Sequence, residues 1–272
     1  MRQTKIFRPC PSVLSVAVLT AGLAGCASAP ETGRTQLMMI DTGQEARMGL
    51  QAFKEIKAET PISRDPKKNA MLQEVGGRIA RVATLPNARW EFVLFDAPDE
   101  PNAFALPGGK VGIYTGILPI TQNEAGLATV IGHEVAHAAA RHGAERMSQG
   151  LAVQAGGTVL SAVLGAQGVS GVSRDLAMQA YGLGSQVGVL LPYSRTQELE
   201  ADRIGLLYMA RAGYDPREAV AFWKRFKAYN EKRGGKSTEF LSTHPLDTNR
   251  IAQLQKDLPQ AIQEYERAVA RR

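Results

Sequence analysis

Residues 124 to 149 read EAGLATVIGHEVAHAAARHGAERMSQ, and this stretch decides how the rest of the chain is interpreted. Apolar residues recur in it at three- and four-residue spacing and no proline interrupts it, which predicts one continuous helix. His133 and His137 are four residues apart, so both imidazoles project from one face of that helix. Glu134 lies one position further round, where it could reach a water bound to the same ion. This spacing is typical of a zinc-dependent hydrolase.

A catalytic zinc site needs three protein ligands and one open position, and neutral imidazole suits the ion. HExxH also arises by chance, in on the order of one chain in a hundred of this length. Two observations favour the metal: two of the four histidines of the chain lie here, and an unpaired imidazole on an apolar helix is costly to bury. We therefore expect His133 and His137 to bind one Zn²⁺ per chain, with Glu134 as the general base.

The third ligand of the zinc is sought further along the chain. A metzincin would carry Gly and His where this chain has Ala140 and Gly143, so that class is excluded. His142 is offset by five residues from His137, which turns it off the ligand face of a continuous helix. We interpret it as a polar residue or as one that supports a ligand.

A second helical pattern begins at ELEAD, residues 198 to 202. Glu198 and Asp202 share one face of this helix, whereas Glu200 points away from that face. Glu198 is therefore the expected third ligand, and Asp202 is placed to orient one of the histidines through its free ring N–H. Without HExxH, the same residues would be interpreted as the solvated acidic start of a helix.

Several motifs follow one another in an order found in one group of metallopeptidases. HEVAH is followed by ELEAD and then by STHP, residues 242 to 245, with Arg250 six residues after His244. Together they resemble the HtpX- and BepA-like gluzincins, which are related to the C-a-a-X prenyl proteases and to the Oma-type proteases. The resemblance covers about residues 32 to 258 and includes further stretches at 32–40, 102–118, 141–149 and 213–220.

The resemblance implies an α+β, predominantly helical fold, in which a zincin-like metallopeptidase domain has a small β-sheet beside the HExxH helix. It also implies that the strand predicted from Gly109 to Tyr114, which includes Val111 and Ile113, binds the backbone of an extended substrate at a sheet edge. From the spacing alone, a plain hairpin strand explains the pattern equally well.

His244 and Arg250 each have a possible role at the scissile carbonyl, because either could donate a hydrogen bond to the developing oxyanion. In BepA-like relatives, a histidine at the place of His244 can instead occupy the fourth zinc position and hold the enzyme latent. The two roles predict opposite effects of His244→Ala: activity rises if His244 is a latch and falls if it stabilises the oxyanion.

The amino terminus predicts export. Residues 1 to 25 have a basic start and a short apolar run, which is typical of a signal peptide. LAGC, residues 23 to 26, resembles a lipobox, so we expect Cys26 to be lipidated; the alternative is an ordinary signal peptide cut near Ala29. By resemblance, Ala27 after the cysteine favours the outer over the inner membrane.

The mature chain is expected to have two parts, a lipid-anchored tether at 26–43 and one zinc metallopeptidase domain at 44–272. Within the domain, residues 147 to 173 carry no charge but are rich in glycine, which disfavours a spanning helix. We interpret 150–192 as helical segments beside the cleft, either a mobile lid or a simple connection.

These expectations describe a zinc endopeptidase of the bacterial periplasm that degrades misfolded or stalled outer-membrane proteins. Its expected partners are unfolded polypeptides, the membrane through the lipid anchor and, as a candidate, the outer-membrane protein assembly machinery. The alternative is a periplasmic chaperone or assembly factor with latent protease activity. The formal charge of +6 is mild and no basic run is interleaved with aromatic residues, which gives no case for nucleic-acid binding.

Overall fold

The structure is a computed structural model that describes residues 26–271 apart from 30, 187–189, 235–237 and 247. The predicted signal peptide, residues 1–25, lies outside the described residues, and so does the side chain of Cys26. Within the described part of the chain, no helix combines the length and the apolar character needed to cross a bilayer.

Helices predominate and two small sheets accompany them, so the predicted α+β, predominantly helical class is confirmed. In chain order the elements are β1 (Cys26–Ser28), β2 (Thr35–Leu37), α1 (Thr42–Glu59), α2 (Pro66–Ala80), β3 (Glu91–Phe95), β4 (Ala103–Leu106), β5 (Lys110–Tyr114), a 3-10 turn (Thr115–Ile117), α3 (Leu118–Thr121), α4 (Glu124–Ala139), α5 (His142–Ala166), α6 (Val172–Ser185), α7 (Leu191–Arg211), α8 (Arg217–Lys232), α9 (Glu239–Thr243) and α10 (Thr248–Ala270).

The HExxH helix α4 lies at the centre of the core. All of its residues from position 126 onward are buried. It packs against α7 so closely that a Cβ added to Gly132 would lie 2.8 Å from the Gly205 carbonyl oxygen, and one added to Gly205 would lie 2.7 Å from the backbone nitrogen of His133. This contact between two backbones brings HEVAH and ELEAD together.

The helix predicted over 124 to 149 is interrupted, so that prediction is wrong. Arg141 lies in the left-handed region, with a φ of 57°, and separates α4 from α5. The strain is offset by its side chain, which donates to Glu45 Oε1 at 3.0 Å and to the Ile40 carbonyl at 2.8 Å. Because the chain turns here, His142 is not carried onward along the axis of α4.

The larger sheet has the order β3-β5-β4, with β5 parallel to β3 and antiparallel to β4. The predicted substrate strand, β5, is therefore central and has no free edge. Glu91 N donates to Gly109 O at 2.9 Å, and by the alternation of strand pairing the backbone groups of Val111 and Ile113 also face β3. Gly109, Val111 and Ile113 therefore cannot bind a substrate backbone as predicted, because their backbone groups are already paired with β3. β4 forms the edge of the sheet that packs against α4.

The segment predicted to be a tether, 26–43, is part of the fold. β1 pairs with β2, and α1 begins within the segment at Thr42. Gln36 Nε2 donates to the Ala140 carbonyl at 2.7 Å, and Met39 N donates to Ser148 Oγ at 2.9 Å. These hydrogen bonds attach the segment to the junction of α4 and α5.

Candidate active site

Four buried side chains from three parts of the fold direct their donor atoms at one point. His133 and His137 come from α4, Glu198 comes from α7, and His244 directly follows α9. Nε2 of His137 lies 3.2 Å from Nε2 of His133. Glu198 oxygens lie 3.4 and 3.3 Å from these two nitrogens. Nδ1 of His244 lies 3.3 Å from His133 Nε2 and 3.2 Å from each Glu198 oxygen.

The distances that involve His133 and Glu198 fit a metal ion held tetrahedrally, and all four donor atoms lie within 4.8 Å of one another. Donors bound at about 2.0–2.1 Å to a tetrahedral ion lie roughly 3.3 Å from one another. Three imidazoles and one carboxylate are also a ligand set that such an ion accepts. The structure thus brings the two predicted histidine ligands and the predicted Glu198 together, and it adds His244 as a fourth donor.

Glu134 is buried beside these donors. Its Oε1 has no hydrogen-bond partner among the described residues and lies 3.4 Å from His244 Nε2. Burial raises the pKa of the Glu134 carboxyl, and the nearby histidines and the backbone N–H of Ala105 offset only part of that rise. A buried carboxylate with an oxygen free to accept a proton suits a general base.

Asp202 and Arg250 lie beneath the ligands. Asp202 Oδ1 is 3.0 Å from His133 Nδ1, as expected of a residue that orients this ring. Arg250 donates from Nε and Nη2 to the two Asp202 oxygens, each at 2.7 Å, and its Nη1 lies 3.1 Å from Glu198 Oε2. The Arg250 guanidinium therefore faces carboxylates below the site and stacks over Trp223, and its role as an oxyanion donor stays a prediction.

His137 is supported by His142, as one of the two interpretations of that residue expected, and by Glu200, for which the sequence indicated no role. Its Nδ1 lies 2.8 Å from Nδ1 of His142, and His142 Nε2 lies 3.0 Å from Glu200 Oε2. The break at Arg141 turns His142 back toward α4, which an uninterrupted helix would not allow. Glu200 does point away from the ligand face, as predicted, but it faces His142. The available signal was a second acid in ELEAD on the opposite face of α7.

The electrostatics of the cluster favour anionic carboxylates around the donors. Burial lowers the pKa of His133, but Asp202 and Glu198 outweigh it and raise the pKa to about 9. Burial acts to raise the pKa of Glu198, yet the charge and hydrogen bonds of the histidines hold it far below its usual range. Burial also lowers the pKa of His137 well below its ordinary value. A neutral His137 and an ionised Glu198 are the forms that bind metal, whereas His133 must lose the proton that its raised pKa favours.

Comparison with known proteins gives one family and a set of relatives. The profile of Peptidase family M48 matches residues 66–258. The mitochondrial metalloendopeptidase OMA1 of Saccharomyces cerevisiae is 35% identical over 88% of this chain and 71% of its own length. That of Schizosaccharomyces pombe is 37% identical over 85% and 66%. The Beta-barrel assembly-enhancing protease of Escherichia coli (strain K12) is 30% identical over 82% and 45%, so the chain spans less than half of that relative.

These comparisons contradict the predicted cellular location. The relatives of higher identity are mitochondrial metalloendopeptidases, and the bacterial proteases are more distant. The predictions of a periplasmic lipoprotein, of degradation of outer-membrane proteins and of a periplasmic chaperone are therefore wrong.

Proposed function

The chain belongs to peptidase family M48 and is a metalloendopeptidase, and we propose that it cleaves extended polypeptides with one Zn²⁺ bound by His133, His137 and Glu198. The resemblance to HtpX-, BepA- and Oma-type peptidases is thereby confirmed. The observation that carries the proposal is the set of donors 3.2 to 3.4 Å apart next to the unpaired Glu134 oxygen. Imidazole and carboxylate ligands in tetrahedral spacing suit Zn²⁺.

The chain's own residues then divide the work of hydrolysis. When bound, Zn²⁺ supplies Lewis acidity for the scissile carbonyl and for the attacking water. His133 and His137 offer Nε2 as ligand, so each ring carries its proton on Nδ1, facing Asp202 and His142 respectively. Glu134 takes a proton from the water at a carboxylate oxygen and returns it to the leaving amine nitrogen.

The substrate backbone is proposed to pair with β4. Tyr114 N donates to Asn102 O at 3.0 Å, so in the register of β4 and β5 the backbone groups of residues 102, 104 and 106 face β5. Those of Ala103 and Ala105 face the free edge, where the Ala105 N–H also donates to Glu134 and the Ala103 N–H donates to Asn102 Oδ1 at 2.9 Å. Small side chains at both positions let another backbone approach. Pairing through main-chain groups gives affinity with little demand on substrate sequence.

His244 is proposed to be a latch. Its Nδ1 is spaced from His133 and Glu198 as a fourth ligand would be, and its Nε2 lies close to Glu134. In this arrangement it occupies the position that an attacking water needs. Movement of His244 would open that position without changing the other three donors.

Cleavage of unfolded casein by the full chain with one equivalent of zinc tests the proposal. We expect Glu134→Gln to lower kcat/KM by about 10²- to 10⁴-fold, because it removes the general base. The control is Glu59→Gln, which changes an exposed glutamate at the end of α1. If Glu134→Gln cleaves casein as fast as the control does, the proposed mechanism is wrong.

A further inference from the structure

Arg34 lies outside the range 66–258 that matches the family profile. Its side chain nevertheless donates a hydrogen bond to Glu200, one of the residues behind the proposed zinc ligand His137. We propose that Arg34 is a positioning residue of the metal centre: it fixes Glu200, which fixes His142, which in turn holds the ring of His137. This inference rests on the proposed zinc site.

The guanidinium of Arg34 joins two buried carboxylates on different helices. Its Nε donates to Glu200 Oε2 at 2.7 Å. Its Nη1 and Nη2 donate to the two oxygens of Glu145, each at 2.7 Å. Thr32 Oγ1 also contacts Glu200 Oε1. The planar fork of an arginine can make all three bonds of its own at once, whereas the single ammonium of a lysine cannot span both carboxylates.

The direction of each hydrogen bond from His137 through His142 to Glu200 follows from which nitrogen of His137 binds the ion. If His137 binds the ion through Nε2, its proton lies on Nδ1 and is donated to His142 Nδ1 at 2.8 Å. His142 then carries its own proton on Nε2 and donates it to Glu200 Oε2 at 3.0 Å. Glu200 must therefore be an acceptor held in place, and Arg34 binds that same oxygen.

Loss of Arg34 would affect its two carboxylates unequally. Glu145 would keep the amide donors of Gln197, at 2.7 Å, and Gln36, at 3.2 Å. Glu200 would keep only the Thr32 hydroxyl and His142 among the contacts described here. Glu200 is thus the group that Arg34 holds, and its displacement would free the rings behind it. Residues that support a metal ligand in this way typically change metal affinity by about 10- to 100-fold.

The matched control for Arg34 is Arg211. Its side chain is 32% exposed, against 20% for Arg34, and it joins α7 to the amino-terminal segment, with Nη1 3.3 Å from Glu31 Oε2. Arg211 is the last residue of α7, away from Glu200, and its described ion-pair partners are Glu31 and Glu264. A general loosening of the amino-terminal segment would therefore result from either substitution, and a specific loss of metal affinity from only one.

The test is the zinc dissociation constant of the full chain, measured by chelator competition, together with the visible spectrum of the Co²⁺ form. We expect Arg34→Gln to raise the constant about 10- to 100-fold and to change the Co²⁺ spectrum. Arg34→Lys should give an intermediate value, and Arg211→Gln should stay within about threefold of wild type, well below that effect.

Equal zinc dissociation constants for Arg34→Gln and Arg211→Gln would overturn the inference. A wild-type constant for Arg34→Gln would overturn it as well. If Arg34→Gln does not fold, Arg34→Lys and Thr32→Val carry the test, and unchanged zinc affinity in both overturns it. Failure of the wild-type chain to bind zinc would contradict the proposed metal site instead, so the two failures are distinguishable.

Discussion

Arg250 is the most completely buried cation near the site, and its neighbours are two carboxylates and the face of Trp223. Its replacement by methionine would leave Asp202 and Glu198 buried without their counter-ion. We expect Arg250→Met to lower the free energy of unfolding of the metal-free protein by about 3–5 kcal/mol. Denaturation in urea measures this loss.

The control for Arg250 is an exposed ion pair. Arg217 pairs with Asp215 at 2.9 Å but is 58% exposed, so Arg217→Met should cost no more than about 1 kcal/mol. Similar losses for the two variants would show that Arg250 does not compensate the buried carboxylates.

Replacement of His244 is expected to raise activity, whereas replacement of Glu134 is expected to lower it. If His244 is a latch, His244→Ala should raise the rate of casein cleavage, while zinc remains bound by His133, His137 and Glu198. We expect the rate to increase on the order of 10-fold. This factor corresponds to a latched state that is about 1.4 kcal/mol more stable than the open state. A decrease in kcat with zinc still bound would instead assign His244 to the oxyanion.

At the level of elements, the site depends on the contact of α4 with α7 at two glycines. A methyl group on Gly205 would meet the backbone of His133 at 2.7 Å, where no flexible side chain can yield. We expect Gly205→Ala to cost about 1–3 kcal/mol of stability and to weaken zinc binding, because it moves Glu198 away from the histidines. Urea denaturation and chelator competition measure the two effects.

Gly150 provides the comparison, because it lies inside α5 and an added Cβ there meets nothing within 4 Å. Gly150→Ala should stabilise the protein by roughly 0.5–1 kcal/mol and leave zinc affinity unchanged. If Gly205→Ala behaves in the same way, the backbone contact does not set the ligand geometry.

The edge strand β4 gives a prediction about substrate binding. Ala105→Pro removes an N–H that faces away from β5, so the sheet should tolerate it. We expect kcat/KM for casein to fall at least about 10-fold, with zinc affinity retained, because both the substrate backbone and Glu134 lose the hydrogen bond from this N–H. An unchanged kcat/KM would place the substrate elsewhere.

Sequence reasoning was most successful where a ligand lies on a regular helix. The spacing of HEVAH and of ELEAD was sufficient to bring His133, His137, Glu198 and Asp202 into one cluster. It failed where tertiary contacts override local pattern. A contact with Glu45 holds Arg141 in the left-handed region, and the order of a three-stranded sheet cannot be read from three short apolar runs.

In the whole molecule, the active site is assembled from segments far apart in sequence, and the amino-terminal segment is one of them through Arg34. The hairpin of α5 and α6 projects from this assembly: none of its residues beyond Gln149 is buried among those described. The interpretation of this region as a lid stays a prediction.

The central claim is that one Zn²⁺ is bound by His133, His137 and Glu198, and anomalous diffraction at the zinc edge from crystals of the full chain tests it most directly. We expect one strong peak per chain at about 2.0–2.1 Å from Nε2 of both histidines and from a Glu198 oxygen. His244 Nδ1 would be the fourth ligand in the latched form. No peak in zinc-loaded crystals, or a peak away from these atoms, would contradict the claim.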